Sequence, residues 1–562
     1  MNNKIKIKFN ILAIICIIIF CFSITPKTFQ NDTYYTIAIG KHIVETGKID
    51  MQDPFSWHED LPYTYPHWAY DVCTYGIYQL GENIGIGGFY ALYIFTALLC
   101  STLGLVIYCT ANRLSKNNLI ALLVTIPIMY LLKNFIAARA QLVTFILFAL
   151  TILFIEQFIA TRKKRYAVYL IIIPILIANL HCAVWPFYFV LYLPYIAEYL
   201  IALILEWQIF YNIKIVFYKK KIEKLNKKGK LEEIGKYQEI IAKLQLEKER
   251  AFQDRIKRQN KAYKVILKKE PMVKWLIVIM VICTLTGFLT PLGTTPYTYL
   301  VKTMEGNTTK SISEHLPLTL INNKQMLIVF AMFLLILIFT DTKTTLRDFF
   351  MLGGLTLLTF MSRRQASIFV IICGFIFAKL VAKFIEKYDK KGSLVIMEFM
   401  TTLLGKILTI LIIILLSIIM YKGKIDDEFV SKSSYPVEAS EYILNNLNIN
   451  EIRLFNEYNY GSYLLYKGIP VFIDSRADLY APEFNGTKKE DGKYEGRDIF
   501  SDYINTSNLS SYYETKFEKY DITHVILGKK SKLNMLISKN SKYHEIYSDE
   551  YFAIYSRLGD EN

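Results

Sequence analysis

The sequence predicts a mainly α-helical protein: a polytopic transmembrane helical bundle of about eleven spans, followed by an external α/β domain. Three observations carry that prediction. Hydrophobic residues make up 53% of the 562-residue chain. Long apolar runs recur from the amino terminus to about residue 421, and beyond it the pattern changes to short mixed elements.

The apolar runs at 9–25, 86–110, 118–133, 141–160, 167–181, 183–206, 272–290, 325–341, 348–361, 366–385 and 401–421 are each read as a helix. A bilayer core takes ~20 residues at helical rise. Lys4, Lys6 and Lys8 precede the first run, as in a signal peptide. No small-residue cleavage site precedes Pro26, so the run reads as a retained anchor.

Lysine and arginine gather in loops that stay in the cytoplasm, and this sets the expected orientation. The amino-terminal lysines, Arg113 with Lys116, Arg162 to Arg165, the segment 212–271 and the lysines from Lys379 to Lys391 all fall on one side. The expectation is a multi-pass plasma-membrane protein with its amino terminus in the cytoplasm. Residues 1–421 then form the membrane module, with external loops at 27–84 and 291–322, and residues 422–562 form the external domain.

The formal charge of +16 does not point to nucleic acid. Residues 212–271 hold 19 Lys and Arg against 8 Asp and Glu, so most of the surplus sits in one cytoplasmic insert. Its apolar residues Leu231, Ile234, Ile241 and Leu244 have helical spacing, interrupted by Gly229 and Gly235, which predicts a helical hairpin or short coiled coil at the membrane surface. Basic residues there add ~1 kcal/mol each of attraction to an anionic leaflet. The eight cysteines show no paired spacing, so neither a disulfide framework nor a zinc site is expected.

Several groups at the ends of spans are ones that hydrocarbon rejects: Arg139 with Gln141, Asn179 with His181, and Arg363 with Arg364. A mid-span arginine costs ~2.5–3.5 kcal/mol on insertion scales, so these residues belong at span ends or against a wet cavity. By the topology above all three groups emerge externally, beside the loop at 27–84 and the loop holding Glu305, Glu314 and His315. Such a cavity would suit a sugar carried on a polyprenyl phosphate. Arginines bind the phosphate, aromatics stack on the sugar, and a carboxylate takes the acceptor's proton. Each group also has a plainer role: snorkelling anchors for the arginines, helix packing for His181, and an interfacial belt for Trp57, Tyr63, Tyr65, Trp68 and Tyr70.

These residues resemble those of the GT-C superfamily, the polytopic glycosyltransferases that use lipid-phosphate sugars and include protein O-mannosyltransferases and the oligosaccharyltransferase catalytic subunit. The likeness covers nearly the whole chain. Its elements are Asp32-Thr33-Tyr34-Tyr35 followed by Ile37 to Gly40, then Asp53-Pro54-Phe55-Ser56, then His67-Trp68 before Gly87-Gly88. Arg139-Ala140-Gln141 is similar to an Arg-Pro-Gln run, Asn179-Leu180-His181 to Asn-x-His, and Glu314-His315 to a Glu-Trp pair.

The resemblance implies that Asp32 deprotonates or orients the acceptor, which displaces the polyprenyl phosphate with inversion. It also implies substrate contacts from Tyr35, His67, Trp68, Arg139, Gln141, His181, Arg363 and Arg364. The adjacent Asp-Glu or Asp-x-Asp of known members is missing, so a second acid must come from Glu59, Asp60, Asp71 or Glu314, or is not needed. No cofactor is expected, since a lone carboxylate is a poor site for a divalent cation. Asp32 also fits a helix cap ahead of an amphipathic helix from Thr33 to Val44.

After residue 422 the expected elements are a helix at 437–446, strands at 452–455, 471–473 and 523–527, and a hairpin within 544–557. Asp474 and Arg476 follow the second of these strands, placed either to contact an acceptor or to form a structural ion pair. The expected partners are a polyprenyl-phosphate-linked sugar, an envelope acceptor and the bilayer. A lipid-linked glycan transporter or a non-catalytic scaffold are the other readings. Transport would favour charges spread through the membrane depth and repeated halves.

Overall fold

The computed structural model describes residues 3–558 apart from 228, 229, 262, 307 and 390. The amino-terminal half runs α1 (Asn3–Ile24), α2 (Asn31–Thr46), α3 (Trp68–Asn83), α4 (Gly88–Ser115), α5 (Asn118–Leu132), α6 (Ala140–Thr161), α7 (Lys164–Leu180), α8 (Trp185–Val190) and α9 (Leu193–Trp207). All eleven predicted apolar runs are helical. Seven helical segments among the described residues are long and apolar enough to cross a membrane. The other four predicted runs form helices of 11 to 17 residues.

The basic insert is a hairpin of α10 (Ile209–Asn226) and α11 (Leu231–Lys261). Ile215 and Ile234 are buried between them, and the Tyr218 and Tyr237 rings stack at 5.7 Å. Gly235 lies inside α11 and does not interrupt it, while Gly229 lies outside the described residues. The chain continues through β1 (Val265–Ile266), α12 (Val273–Cys283), α13 (Thr295–Glu305), α14 (Thr308–Ser311), α15 (Lys324–Phe339), β2 (Thr344–Thr345), α16 (Leu346–Met361), α17 (Ala366–Tyr388), α18 (Gly392–Thr401) and α19 (Leu403–Lys422). The apolar helix α18 was not expected. Thr402 separates it from α19 and caps that helix, accepting from the Gly405 amide.

The bundle packs around one apolar cluster that includes Phe145, Phe148, Phe369 and Phe375. Beside Ile152, Phe375 and Ile376 of that cluster, ion pairs tie three of its helices. The Arg347 guanidinium reaches Glu156 at 3.3 Å, and the Lys379 ammonium reaches Asp348 at 2.5 Å. Charges in such a setting persist only when paired.

Past α19 come α20 (Val437–Asn446), β3 (Leu454–Phe455), α21 (Tyr458–Tyr466), β4 (Thr487–Lys488), β5 (Tyr494–Glu495), β6 (His524–Gly528), β7 (Tyr543–Ser548) and β8 (Phe552–Arg557). The main sheet has the order β3-β6-β8-β7, with β3 parallel to β6 and the remaining pairs antiparallel. The predicted strand at 471–473 is not part of it. Val471 forms a single parallel bridge to Ser56, because the loop at 27–84 takes its backbone before the sheet does. Asp474 and Arg476 therefore do not sit at the end of a sheet strand.

That loop and the carboxy-terminal region share a second apolar cluster, which joins Phe29, Tyr34, Leu61 and Tyr65 to Tyr435, Ile443, Val471 and Ile554. The Tyr34 ring meets those of Tyr435 and Tyr463 edge-on at 4.9 and 5.1 Å. Aromatic pairs in this geometry add to burial.

Candidate functional site

The chain leaves α1 and turns at once into α2, which places Asp32 in the first turn of that helix. Asp32 does not cap the helix: the capping position is Gln30, and no side chain bonds there. Instead its carboxylate meets the Arg139 guanidinium at 2.5 Å. Arg139 is the extended residue before α6, and its other arm reaches Glu314 at 3.5 Å. Residues from three distant segments thus converge on one guanidinium. Burial alone would lower the Arg139 pKa, but Asp32 and Glu314 raise it overall.

A cavity of about 800 Å³ opens beside this triad, a size suited to a substantial ligand. Its lining brings together Asp32, Tyr35, His67, Arg139, Gln141, His181, Glu314, Arg364 and Arg476 among the predicted residues. The turn carrying Glu314 is held by the segment after α16. The Ser362 hydroxyl donates to the Glu314 carbonyl at 3.3 Å, and the Arg363 amide donates to the Leu316 carbonyl at 3.0 Å. This docking points Arg364 into the cavity. Among the described residues none accepts a hydrogen bond or forms an ion pair with its guanidinium. His315, also on the wall, is pushed down to about 4 by burial and the nearby Arg364, which keeps it neutral.

A second group of side chains lines the wall made by α2 and α3. The Tyr35 hydroxyl lies 3.0 Å from His67 Nε2, and His67 Nδ1 lies 2.7 Å from the Asp71 carboxylate. Gly40 makes this possible: a Cβ there would collide with the Asp71 carbonyl, so only glycine lets the two helices approach. Across the cavity His181 is fixed through Nδ1 by the Thr144 hydroxyl at 2.7 Å, and its ring centroid lies 6.4 Å from that of His67.

Other predicted residues lie elsewhere. Asp60 is an exposed turn residue with φ of 55° and does not line the cavity. Asp71 is fully buried behind His67 and faces no open space. Trp68 begins α3 and donates through Nε1 to Asn179 at 3.2 Å, outside the lining. Arg363 donates through Nε to the Pro317 carbonyl at 3.2 Å, away from the cavity.

Asp474 and Arg476 form an internal ion pair. Arg476 donates to Asp474 at 2.8 and 2.7 Å and to Asp53 at 2.6 Å, between the rings of Phe55 and Tyr63. Its donors are spent inside the protein, so it borders the cavity without offering a free hand.

Tyr299, Tyr458 and Asp478 are among the lining residues that the sequence reading missed. Asp478 accepts from the Tyr299 hydroxyl, and burial pushes its carboxyl above the usual range. Tyr458 donates to the Ser475 carbonyl at 3.1 Å. The one available signal was the alternation Asp474, Arg476, Asp478. It reads as an exposed strand, whereas the segment 477–480 forms a 3-10 turn.

No protein-family model matches the chain, and no curated protein matches its sequence. In fold the chain is similar to solved structures of an archaeal oligosaccharyltransferase. Among solved structures the chain is similar to the archaeal oligosaccharyltransferase AglB of Archaeoglobus fulgidus in complex with an inhibitory peptide and a dolichol-phosphate. The TM-score is 0.51 at 12% identity, over 99% of this chain and 75% of that one. The same organism's enzyme tethered with an acceptor peptide containing the NVT sequon gives 0.50 at 12%, over 98% and 74%. The apo form gives 0.50 at 13%, over 92% and 69%.

Proposed function

We propose that the chain is a membrane glycosyltransferase that moves a sugar from a polyprenyl-phosphate carrier to an acceptor of the cell envelope, on the external face, with inversion. The observation that carries this reading is the convergence of Asp32 and Glu314 on Arg139 at a cavity where Arg364 has no ion-pair partner among the described residues. A carboxylate that takes a proton and a guanidinium fork that takes a phosphate are the two groups such a transfer requires.

In this reading Arg364 binds the donor phosphate, flanked by His67 and His181. The prenyl tail leaves past Leu316, Leu358 and Met361, apolar residues that also line the cavity. The anionic phosphate competes with Asp32 for Arg139 and frees the carboxylate. The acceptor's oxygen or nitrogen attacks the anomeric carbon, the bond to the phosphate oxygen breaks with its electron pair, and the acceptor's proton passes to Asp32. A single displacement inverts the centre. The orientation follows the lysine and arginine distribution.

In this reading the transfer uses no divalent cation. Asp32 and Glu314 surround a guanidinium, and among the described residues no three His, Cys, Asp or Glu side chains gather as ligands.

The test is to supply the purified protein with radiolabelled undecaprenyl-phosphate sugars and envelope extract. Transfer by the wild type that falls ~10²-fold or more in Asp32→Asn supports the reading. Equal transfer by both removes Asp32, and no transfer with any donor removes the function.

A further inference from the structure

Asp71 has no place in the transfer above, yet its setting is unusual. It is 0% exposed, its one hydrogen bond runs to His67 Nδ1 at 2.7 Å, and its second oxygen has no partner among the described residues. His67 sits between it and the cavity, with Nε2 on the cavity side beside the Tyr35 hydroxyl.

We propose that Asp71 is a positioning residue that keeps a proton on His67 Nε2, so that His67 meets the phosphate of the lipid-linked donor as a hydrogen-bond donor. This rests on the function proposed above and assigns a further residue to it. The reason is electrostatic. A carboxylate beside a neutral imidazole leaves a net negative charge on the pair, and in a dry setting that charge carries a desolvation cost of several kcal/mol. Adding one proton makes the pair neutral. Whether the shared proton then rests on Oδ1 or on Nδ1, the outer nitrogen carries hydrogen in both forms.

Among the described residues His67 is the one side chain in ion-pair reach of the Asp71 carboxylate. Tyr35, Tyr63, Tyr70, Cys73 and His181 are neighbouring titratable groups, Asp32, Arg139 and Arg364 act on the cavity side of the pair, and Arg476, which acts on Asp71 itself, is already bound by Asp53 and Asp474. Burial pushes the Asp71 carboxyl up despite His67, in the direction of the loaded pair. In the free protein the Nε2 hydrogen has the Tyr35 oxygen as its acceptor, and donor phosphate takes that place.

The test is binding of a polyprenyl methyl phosphodiester, whose single charge is constant over the range, to the full-length protein in detergent by calorimetry from pH 5.5 to 8.5. The wild type should bind with affinity varying less than about threefold. Asp71→Asn presents an amide oxygen to Nδ1–H and leaves Nε2 bare once the imidazole loses its charge. It should bind at least tenfold more weakly at pH 8.5, with the deficit shrinking toward pH 5.5. Tyr35→Phe removes the competing acceptor and should bind severalfold more tightly, which tests the same proton should Asp71→Asn fail to fold. A folded Asp71→Asn protein that follows the wild-type profile overturns the proposal, as does Tyr35→Phe binding no tighter. A wild type that binds no phosphodiester at any pH removes the proposed function itself, whereas wild-type binding with either overturning result removes only the role of Asp71.

Discussion

Asp53 and Arg476 are 423 residues apart in the chain and 2.6 Å apart in the structure. Asp474 closes the other side of the guanidinium, and all three side chains are at most 2% exposed. The clasp fastens the loop at 27–84 to the carboxy-terminal region. Removing one partner of such a buried pair strands the other's charge. Arg476→Met should therefore cost ~3–5 kcal/mol, read as a large fall in the thermal unfolding midpoint.

The same clasp sets an acid limit. Burial would raise the Asp53 pKa, but the Arg476 guanidinium overrides it and holds the carboxyl below the usual range. A depressed carboxyl contributes stability that is fully present above its unfolded value, ~3.9, and is lost as pH falls through the folded value. Asp53→Asn should be less stable at neutral pH, with a shallower further decline below pH 4 in acid titrations of unfolding.

His315 titrates in the other window. Its folded value of about 4 lies below the ordinary 6.5, so the folded state resists protonation that the unfolded chain accepts. The linked stability is whole above pH 6.5 and is lost progressively from there to about pH 4. Unfolding followed at pH 7 and pH 5 should show a smaller drop for His315→Gln than for the wild type.

Arg139 uses its planar fork to hold Asp32 and Glu314 together. Lysine offers a single compact charge on a flexible stem, so Arg139→Lys preserves the sign but not the bridge. Sugar transfer should fall ~10- to 100-fold, equivalent to about 1.4–2.8 kcal/mol, with the protein still folded.

Among the described residues Arg364 has no hydrogen-bond or ion-pair partner to lose. Arg364→Gln should leave the unfolding midpoint nearly unchanged while raising KM for the lipid-linked donor ~10-fold or more, the scale of one charge-assisted hydrogen bond. A variant that unfolds early with unchanged KM would assign the residue to structure instead.

What the sequence revealed depended on the range of the signal. Apolar runs are local and long, so every predicted run was found as helix, seven of them among the described residues long and apolar enough to cross a membrane. Also found were the helix at 437–446 and the strand at 523–527, where composition and period agree. Asp32, Arg139 and Glu314 were legible as chemistry but not as a triad, because their meeting depends on packing between remote segments. The strand at 471–473 failed for the same reason: its partner is Ser56, and no local pattern announces a pairing across more than four hundred residues. For Arg476 the sequence left an acceptor contact and a structural ion pair both open, because it shows charge and not occupancy; the structure has the ion pair, and the partner that fills its last arm lies in the first loop. The pairing of Asp71 with His67 was within reach, since residues four apart share a helix face.

The aromatic cluster that joins Phe29, Tyr34 and Tyr65 to Tyr435 and Tyr463 makes the loop and the carboxy-terminal region one inheritable unit. A graft of residues 422–562 onto another scaffold would leave half of that cluster behind, so residues 27–84 must travel with them. Asp32 and His67 then travel too. The wall built by Tyr458 and Asp478 and the carboxylate that faces it are thus exchanged together or not at all.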